Sequence, residues 1–164
     1  GRDPLAAGIQ SSYAIVLWSA RNYEAALAQR QRALDLEPRN YAATLMVGVT
    51  YEAMGRPREA LAIFDHPDFR ESPYIARAHA MLGQRSEAYR VLNALAERQA
   101  PVDLQEVAIT HFALGDTDGG FEWLTRAFDQ RNGYVPWAKV QPAFDDVRSD
   151  PRFKALVARL KLPN

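Results

Sequence analysis

The chain has 164 residues, enough for one domain to bury a core, and its 20 Lys and Arg balance its 20 Asp and Glu. With no net charge and no basic stripe, it lacks the electrostatic footprint of a protein that grips nucleic-acid phosphates. It contains no cysteine, which excludes disulfides and thiolate metal sites, and no apolar run approaches the roughly 18 residues of a membrane span.

Apolar residues recur at helical spacing along nearly the whole chain, as in Tyr13, Leu17 and Ala20, and strand-like alternation is absent. The pattern predicts helices over about 5–20, 23–36, 40–54, 57–64, 73–82, 85–98, 102–114 and 118–130, with ends uncertain by about two to four residues. Pro38, Pro57, Pro73 and Pro101 fall at predicted helix boundaries, where a missing N–H costs little. Between Phe64 and Ser72 the pattern is irregular, and Asp65-His66-Pro67-Asp68 predicts a shortened helix and a local bend. From Gly133 to Asn164 the periodicity changes again. That segment ends in a helix starting at Pro151, with Asp150 as N-cap and Phe153, Leu156, Val157 and Leu160 on one face.

One short phrase recurs four times. It reads Arg21-Asn22-Tyr23-Glu24-Ala25-Ala26-Leu27, Gly55-Arg56-Pro57-Arg58-Glu59-Ala60-Leu61, Gly83-Gln84-Arg85-Ser86-Glu87-Ala88-Tyr89 and Gly115-Asp116-Thr117-Asp118-Gly119-Gly120-Phe121. In three copies a glycine ends one helix, and in all four a small residue precedes a large apolar one. Ala26, Ala60, Ala88 and Gly120 are spaced by 34, 28 and 32 residues, the period of stacked helix-turn-helix units. The small residue is expected at the crossing of the two helices of a pair.

These residues resemble the tetratricopeptide repeat. Gly48, Tyr51, Gly55, Ala60 and Phe64 fall at the family's signature positions in order, and the first copy supplies Ala26, Ala33 and Pro38 with Arg21 in place of the turn glycine. The third and fourth copies carry His79 and His111 where the family usually has tyrosine. The resemblance spans residues 5 to 130 and implies an all-α, right-handed helix-turn-helix solenoid of about four pairs over residues 1–132. Residues 133–164 are then expected as a capping segment on the last repeat, because a solenoid must end in a unit with one polar face. Phe121-Glu122-Trp123-Leu124, Ala127-Phe128 and the stretch from Pro142 to Leu156 are similar to the ending of bacterial regulatory modules of this family. That likeness implies a scaffold or sensor within a larger bacterial regulatory protein, and the start at Gly1 fits a fragment of one.

In such an array the inner helix of each pair lines a concave groove. The register places Ser11, Ile15 and Trp18, then Leu45, Val49 and Glu52, then Tyr74, Arg77 and Met81, then Gln105, Ile109 and Phe112 along it. Members that clamp a terminal carboxylate use lysine and asparagine at positions where this chain has Ser11, Ile15, Leu45 and Val49. A mostly apolar groove suits an apolar protein or peptide segment instead, and the chain's own tail or a second copy are the other candidates to fill it. Arg77 is expected either to meet a partner carboxylate or to bridge to Glu52.

No phosphate loop, nucleophile elbow or zinc helix is present, so no enzyme activity, metal or cofactor is expected. His79 and His111 share one repeat position and are expected to pack against the neighbouring helix. Asp65-His66-Pro67-Asp68 reads as a solvated loop, with metal ligation as the alternative. The expected function is a non-catalytic protein- or peptide-binding module with no nucleic-acid partner and no membrane insertion. Self-association as a homodimer and small-ligand sensing are the alternatives. Cytoplasm and periplasm both remain open as compartments.

Overall fold

The computed structural model describes residues 4–97, 103–131 and 135–160, and among these there is no strand. Nine helices occur in them: α1 (Pro4–Ser19), α2 (Tyr23–Leu36), α3 (Tyr41–Ala53), α4 (Pro57–Phe64), α5 (Pro73–Met81), α6 (Arg85–Glu97), α7 (Leu104–Ala113), α8 (Thr117–Gln130) and α9 (Pro151–Ala158). Two 3-10 turns, Val135–Lys139 and Pro142–Val147, precede α9. Pro101 and the expected boundary between residues 132 and 133 lie outside the described residues. The chain divides into two compact units, Gly1–Arg70 and Glu71–Asn164. In the first, α1 packs on α2, α2 on α3 and α3 on α4; in the second, α5 packs on α6 and α7, α7 on α8, and α8 on α9.

Each helix pair is closed by the same turn. The amides of Asn22, Arg56, Gln84 and Asp116 donate to the carbonyls of Leu17, Tyr51, His79 and His111 at 2.9–3.0 Å. One residue earlier, the amides of Arg21, Gly55, Gly83 and Gly115 donate to Trp18, Glu52, Ala80 and Phe112. This double bond set requires a left-handed residue just past the helix end. Gly55, Gly83 and Gly115 supply it with φ of 68°, 73° and 75°, and Arg21 is forced to the same φ of 63°. The next helix then starts on a cap: Asn22 accepts from the Ala25 amide and Asp116 from the Gly119 amide. Since a non-glycine residue costs about 1 kcal/mol in this conformation, Arg21→Gly is expected to stabilise the chain by about that amount in denaturant unfolding.

Small residues fill the crossing of each pair. Ala26, Ala60, Ala88 and Gly120 are all buried, and so are Ala14, Gly48, Ala76 and Ala108, which recur at the same spacings on the preceding helices. A methyl added at Gly48 would overlap the Phe64 ring, and one at Gly120 the Phe112 ring. Four residues after each small residue of the second helix comes the layer-filling position. It holds Phe64 and Leu124, both fully buried, and the partly buried Leu92.

The first unit breaks this rule at Arg30, which occupies the position of Phe64, Leu92 and Leu124 and is buried, only 3% exposed. Its Nε and Nη2 have no hydrogen-bond partner. Burial lowers the guanidinium pKa from its ordinary value to about 10. At about 1.4 kcal/mol per pKa unit, this is on the order of 3 kcal/mol against the charged form. A lowered base pKa penalises folding at every pH below about 10, and the cost is relieved only as pH rises further. Arg30→Leu is therefore expected to raise unfolding free energy at neutral pH by about 1–4 kcal/mol. An unchanged or lower denaturation midpoint would contradict it.

The linking segment is anchored by one side chain. Asp65, His66, Pro67 and Asp68 are all exposed, but Phe69 is buried, with its ring 4.5 Å from Tyr41 and 6.5 Å from Phe64. In the second unit, Phe121, Leu124, Ala127 and Phe128 of α8 share one core with Val135, Ala138, Phe144, Phe153 and Leu156 of the tail. Phe144 is the most deeply buried tail residue of this core together with Ala138, and Val157 and Leu160 pack against its edge. Asp150 caps α9 by accepting from the Arg152 amide at 2.8 Å.

Candidate functional site

Buried polar side chains gather in the second unit where α5 and α7 meet. Thr110 ties the two helices together, its one hydroxyl proton shared between the Pro73 carbonyl at 3.2 Å and the Glu106 carbonyl at 2.9 Å. One turn away, Arg77 donates to the Glu106 carboxylate, with both side chains almost wholly buried. Such a pair is tolerated inside because each charge is matched in place, and removing one partner is costly. The Arg77 guanidinium also lies 5.2 Å from the Tyr74 ring centre, within cation–π range.

Asp103 caps α7, accepting from the amides of Gln105 at 3.0 Å and Glu106 at 3.4 Å. Burial and the nearby Glu106 charge push its carboxyl above the ordinary carboxylate range. Gln105 donates through Nε2 to Gln141 Oε1 at 2.6 Å, and its own Oε1 is buried with no hydrogen-bond partner. Arg148 holds that tail segment in turn by donating to the Gln141 carbonyl at 2.9 Å.

The groove residues expected from sequence are distributed unevenly. In the second unit, Arg77, Gln105 and Ile109 are buried in its interior, Tyr74 and Phe112 are half-buried, and Met81 is exposed. Phe112 stacks edge-on against Phe121 and Phe144 at 5.1 and 6.2 Å. Gln105 and Phe112 are thus covered by Gln141 and Phe144 of the chain's own tail. In the first unit, Trp18, Val49 and Glu52 are buried, whereas Ser11, Ile15 and Leu45 are half-buried. The accessible part of the expected set is therefore Ser11, Ile15 and Leu45 in one unit and Tyr74, Met81 and the edge of Phe112 in the other.

The chain matches no family model, no curated protein and no solved structure. No group of three side chains able to hold a metal ion is gathered among the described residues. Among the described residues no helix is long and apolar enough to cross a membrane.

Glu106, Asp103 and Gln141 are the polar residues that sequence reasoning missed. A signal existed: Arg77 stands at the repeat position held by Ile15, Val49 and Ile109, and a guanidinium there must find a carboxylate. The histidines have a more specific role than packing. His79 Nδ1 lies 2.6 Å from Gln84 Oε1, and His111 Nδ1 lies 2.8 Å from Asp116 Oδ2. Both clasp the last residue of the turn, just before the following helix, where the second repeat instead lays Arg56 over the Tyr51 ring at 4.8 Å. The His111 hydrogen bond and then the Gly119 amide hold the Asp116 carboxyl below the ordinary carboxylate range.

Asp103 offers the cleanest test of this cluster. A carboxyl whose folded pKa is raised weakens folding once it is ionised, so its cost is present at neutral pH and disappears as pH falls through that raised value. Asn preserves the cap without the charge, whereas Ala loses the cap at about 1 kcal/mol. Stability at pH 7 is expected in the order Asp103→Asn, wild type, Asp103→Ala, with the Asn advantage vanishing at acid pH in urea titrations.

Proposed function

We propose that the chain is a non-catalytic helical-repeat module of the tetratricopeptide type that binds a protein or peptide segment, serving as scaffold or sensor in a larger bacterial regulatory protein. The observation that carries this is the side of α5 that bears Tyr74, Arg77 and Met81. Tyr74 and Met81, seven residues apart on one side of the helix, stay accessible on either side of an Arg77 already neutralised by Glu106. An apolar surface over a fixed polar floor suits the apolar side chains of a peptide, and methionine and tyrosine are residue types that adapt to such contacts. The repeated helix pairs and the capping tail support the solenoid arrangement on which this reading rests.

Arg77 and Val49 are buried, so their substitution would report on folding. The useful variant is Tyr74→Ala with Met81→Glu, at the two positions of this face that reach the surface. Peptides selected from a displayed library on the 164-residue chain are expected to lose at least about tenfold in affinity on this variant, the loss of one interface anchor. The helical circular dichroism spectrum should not change. Failure to select any peptide, or equal binding by the variant, would overturn the proposal.

A further inference from the structure

Arg30 buries a pair of donors that meet no acceptor. Its Nε–H and Nη2–H lie on one edge of the planar guanidinium and point the same way, a fork that fits two oxygens of one carboxylate or phosphate. Elsewhere in this chain that edge is used. Arg152 sets it on both oxygens of the Asp150 carboxylate at 3.2 and 2.9 Å. Arg148 sets it on one oxygen of Asp145 at 3.1 and 2.7 Å, and Arg70 on the Asp65 carbonyl at 3.2 and 2.8 Å. In Arg30, the one buried member of these four, the same two nitrogens have no hydrogen-bond partner.

A second unpartnered donor shares the layer between α1 and α2. Trp18 is buried and its indole Nε1–H has no partner, and an indole can only donate. The repeat register sets Arg30 against Ala14 as Phe64 lies against Gly48, and Trp18 against Ala26 as Phe112 lies against Gly120. Ala14 precedes Trp18 by four residues on α1, and Ala26 precedes Arg30 by four on α2. Both polar side chains therefore stand on the facing sides of one closely packed pair. Ala14, Ala26 and Ala33 around them are buried and present only methyl groups. The side chains so placed offer donors and no acceptor. This layer lies inside the helix pair, not on the outer side of α1.

We propose that the first helix pair holds a small oxyanion, a carboxylate or a phosphate, on the Arg30 fork, with the Trp18 indole as a third donor. A buried positive charge is tolerated when an opposite charge is matched to it in place, as Glu106 is matched to Arg77. Burial lowers the Arg30 pKa to about 10, a shift in the direction that an adjacent carboxylate would oppose. An oxyanion on the fork supplies both the charge and the acceptors that the surrounding methyl groups cannot. The ligand is small because Arg30 and Trp18, 3% and 8% exposed, leave no open groove beside them. Entry requires only a local parting of α1 from α2.

The test is a nuclear magnetic resonance titration of the isotope-labelled 164-residue chain. Sodium acetate or sodium phosphate is added from about 0.1 to about 100 mM, with sodium chloride holding the ionic strength constant. The Trp18 indole and Arg30 Nε–H signals, identified by their loss in Trp18→Phe and Arg30→Leu, are expected to shift together and to saturate with a dissociation constant of about 1 mM. Arg30→Leu should abolish the Trp18 shift. Because that variant is expected to be more stable than the wild type, its loss of binding is not a loss of folding. Arg30→Lys keeps the charge without the fork and should weaken binding about tenfold or more. Tyr74→Ala with Met81→Glu should titrate as the wild type does, which separates this site from the α5 face. Saturation by acetate alone identifies a carboxylate ligand, by phosphate alone a phosphate, and by both a general oxyanion site. No saturable shift with either salt, an equal shift in Arg30→Leu, or undiminished binding by Arg30→Lys would each overturn the proposal.

Discussion

Two consecutive helices joined by three residues can pack only if their backbones pass close together, and that closeness is the constraint on which the rest depends. Ala14, Gly48, Ala76 and Ala108 on one helix of each pair, and Ala26, Ala60, Ala88 and Gly120 on the other, are buried because nothing larger fits between. Where even a methyl is too much, an aromatic ring occupies the space: Phe64 over Gly48 and Phe112 over Gly120. The large ring and the missing side chain are one packing solution written on two helices. The left-handed turn residue belongs to the same solution, because it reverses the chain within the length that close packing allows.

That constraint explains which parts of the molecule could be anticipated. Helix positions were legible because turn glycines, N1 prolines and small residues are local signals, and the helices from α1 to α8 lie within a few residues of their expected spans. The tail was legible through Asp150, Pro151 and the apolar face of α9. What could not be read was which partner a buried polar side chain finds. Arg77 meets Glu106 across 29 residues, and Gln105 meets Gln141 across 36. Such pairings depend on how two helices are rotated against each other, which periodicity leaves open. Phe69 was hidden for a related reason: four exposed neighbours disguise the one residue that anchors its segment.

Helical periodicity does not separate a groove-lining position from a core-filling one. A helix face that points towards the middle of a unit can be a ligand surface or part of the core, and the two have the same composition. Ile109 and Gln105 turned out to be interior because the tail supplies Phe144 and Gln141 above α7. The tail therefore has two effects on the second unit. It covers the apolar side of α8, and it removes part of α7 from any external partner. Of the expected groove positions in this unit, Tyr74 and Met81 of α5 are left accessible.

Arg30 and Arg77, the two buried arginines among the described residues, show how differently one chemical group can be accommodated. Arg77 replaces an aliphatic residue of the repeat but gains Glu106 and the Tyr74 ring, so its charge is compensated where it lies. Arg30 replaces the residue equivalent to Phe64, and its buried Nε and Nη2 gain no hydrogen bond. Folded proteins are stable by only about 5–15 kcal/mol, so a cost on the order of 3 kcal/mol at one site is a large fraction of the whole. It falls on the same helix pair whose α1 leaves Ile9, Tyr13 and Val16 open to solvent. Binding that covers the apolar stripe stabilises the folded form by mass action and offsets a deficit of this size once the covering partner exceeds its dissociation constant by about a hundredfold. The stability of the first helix pair is therefore sensitive to what docks on it.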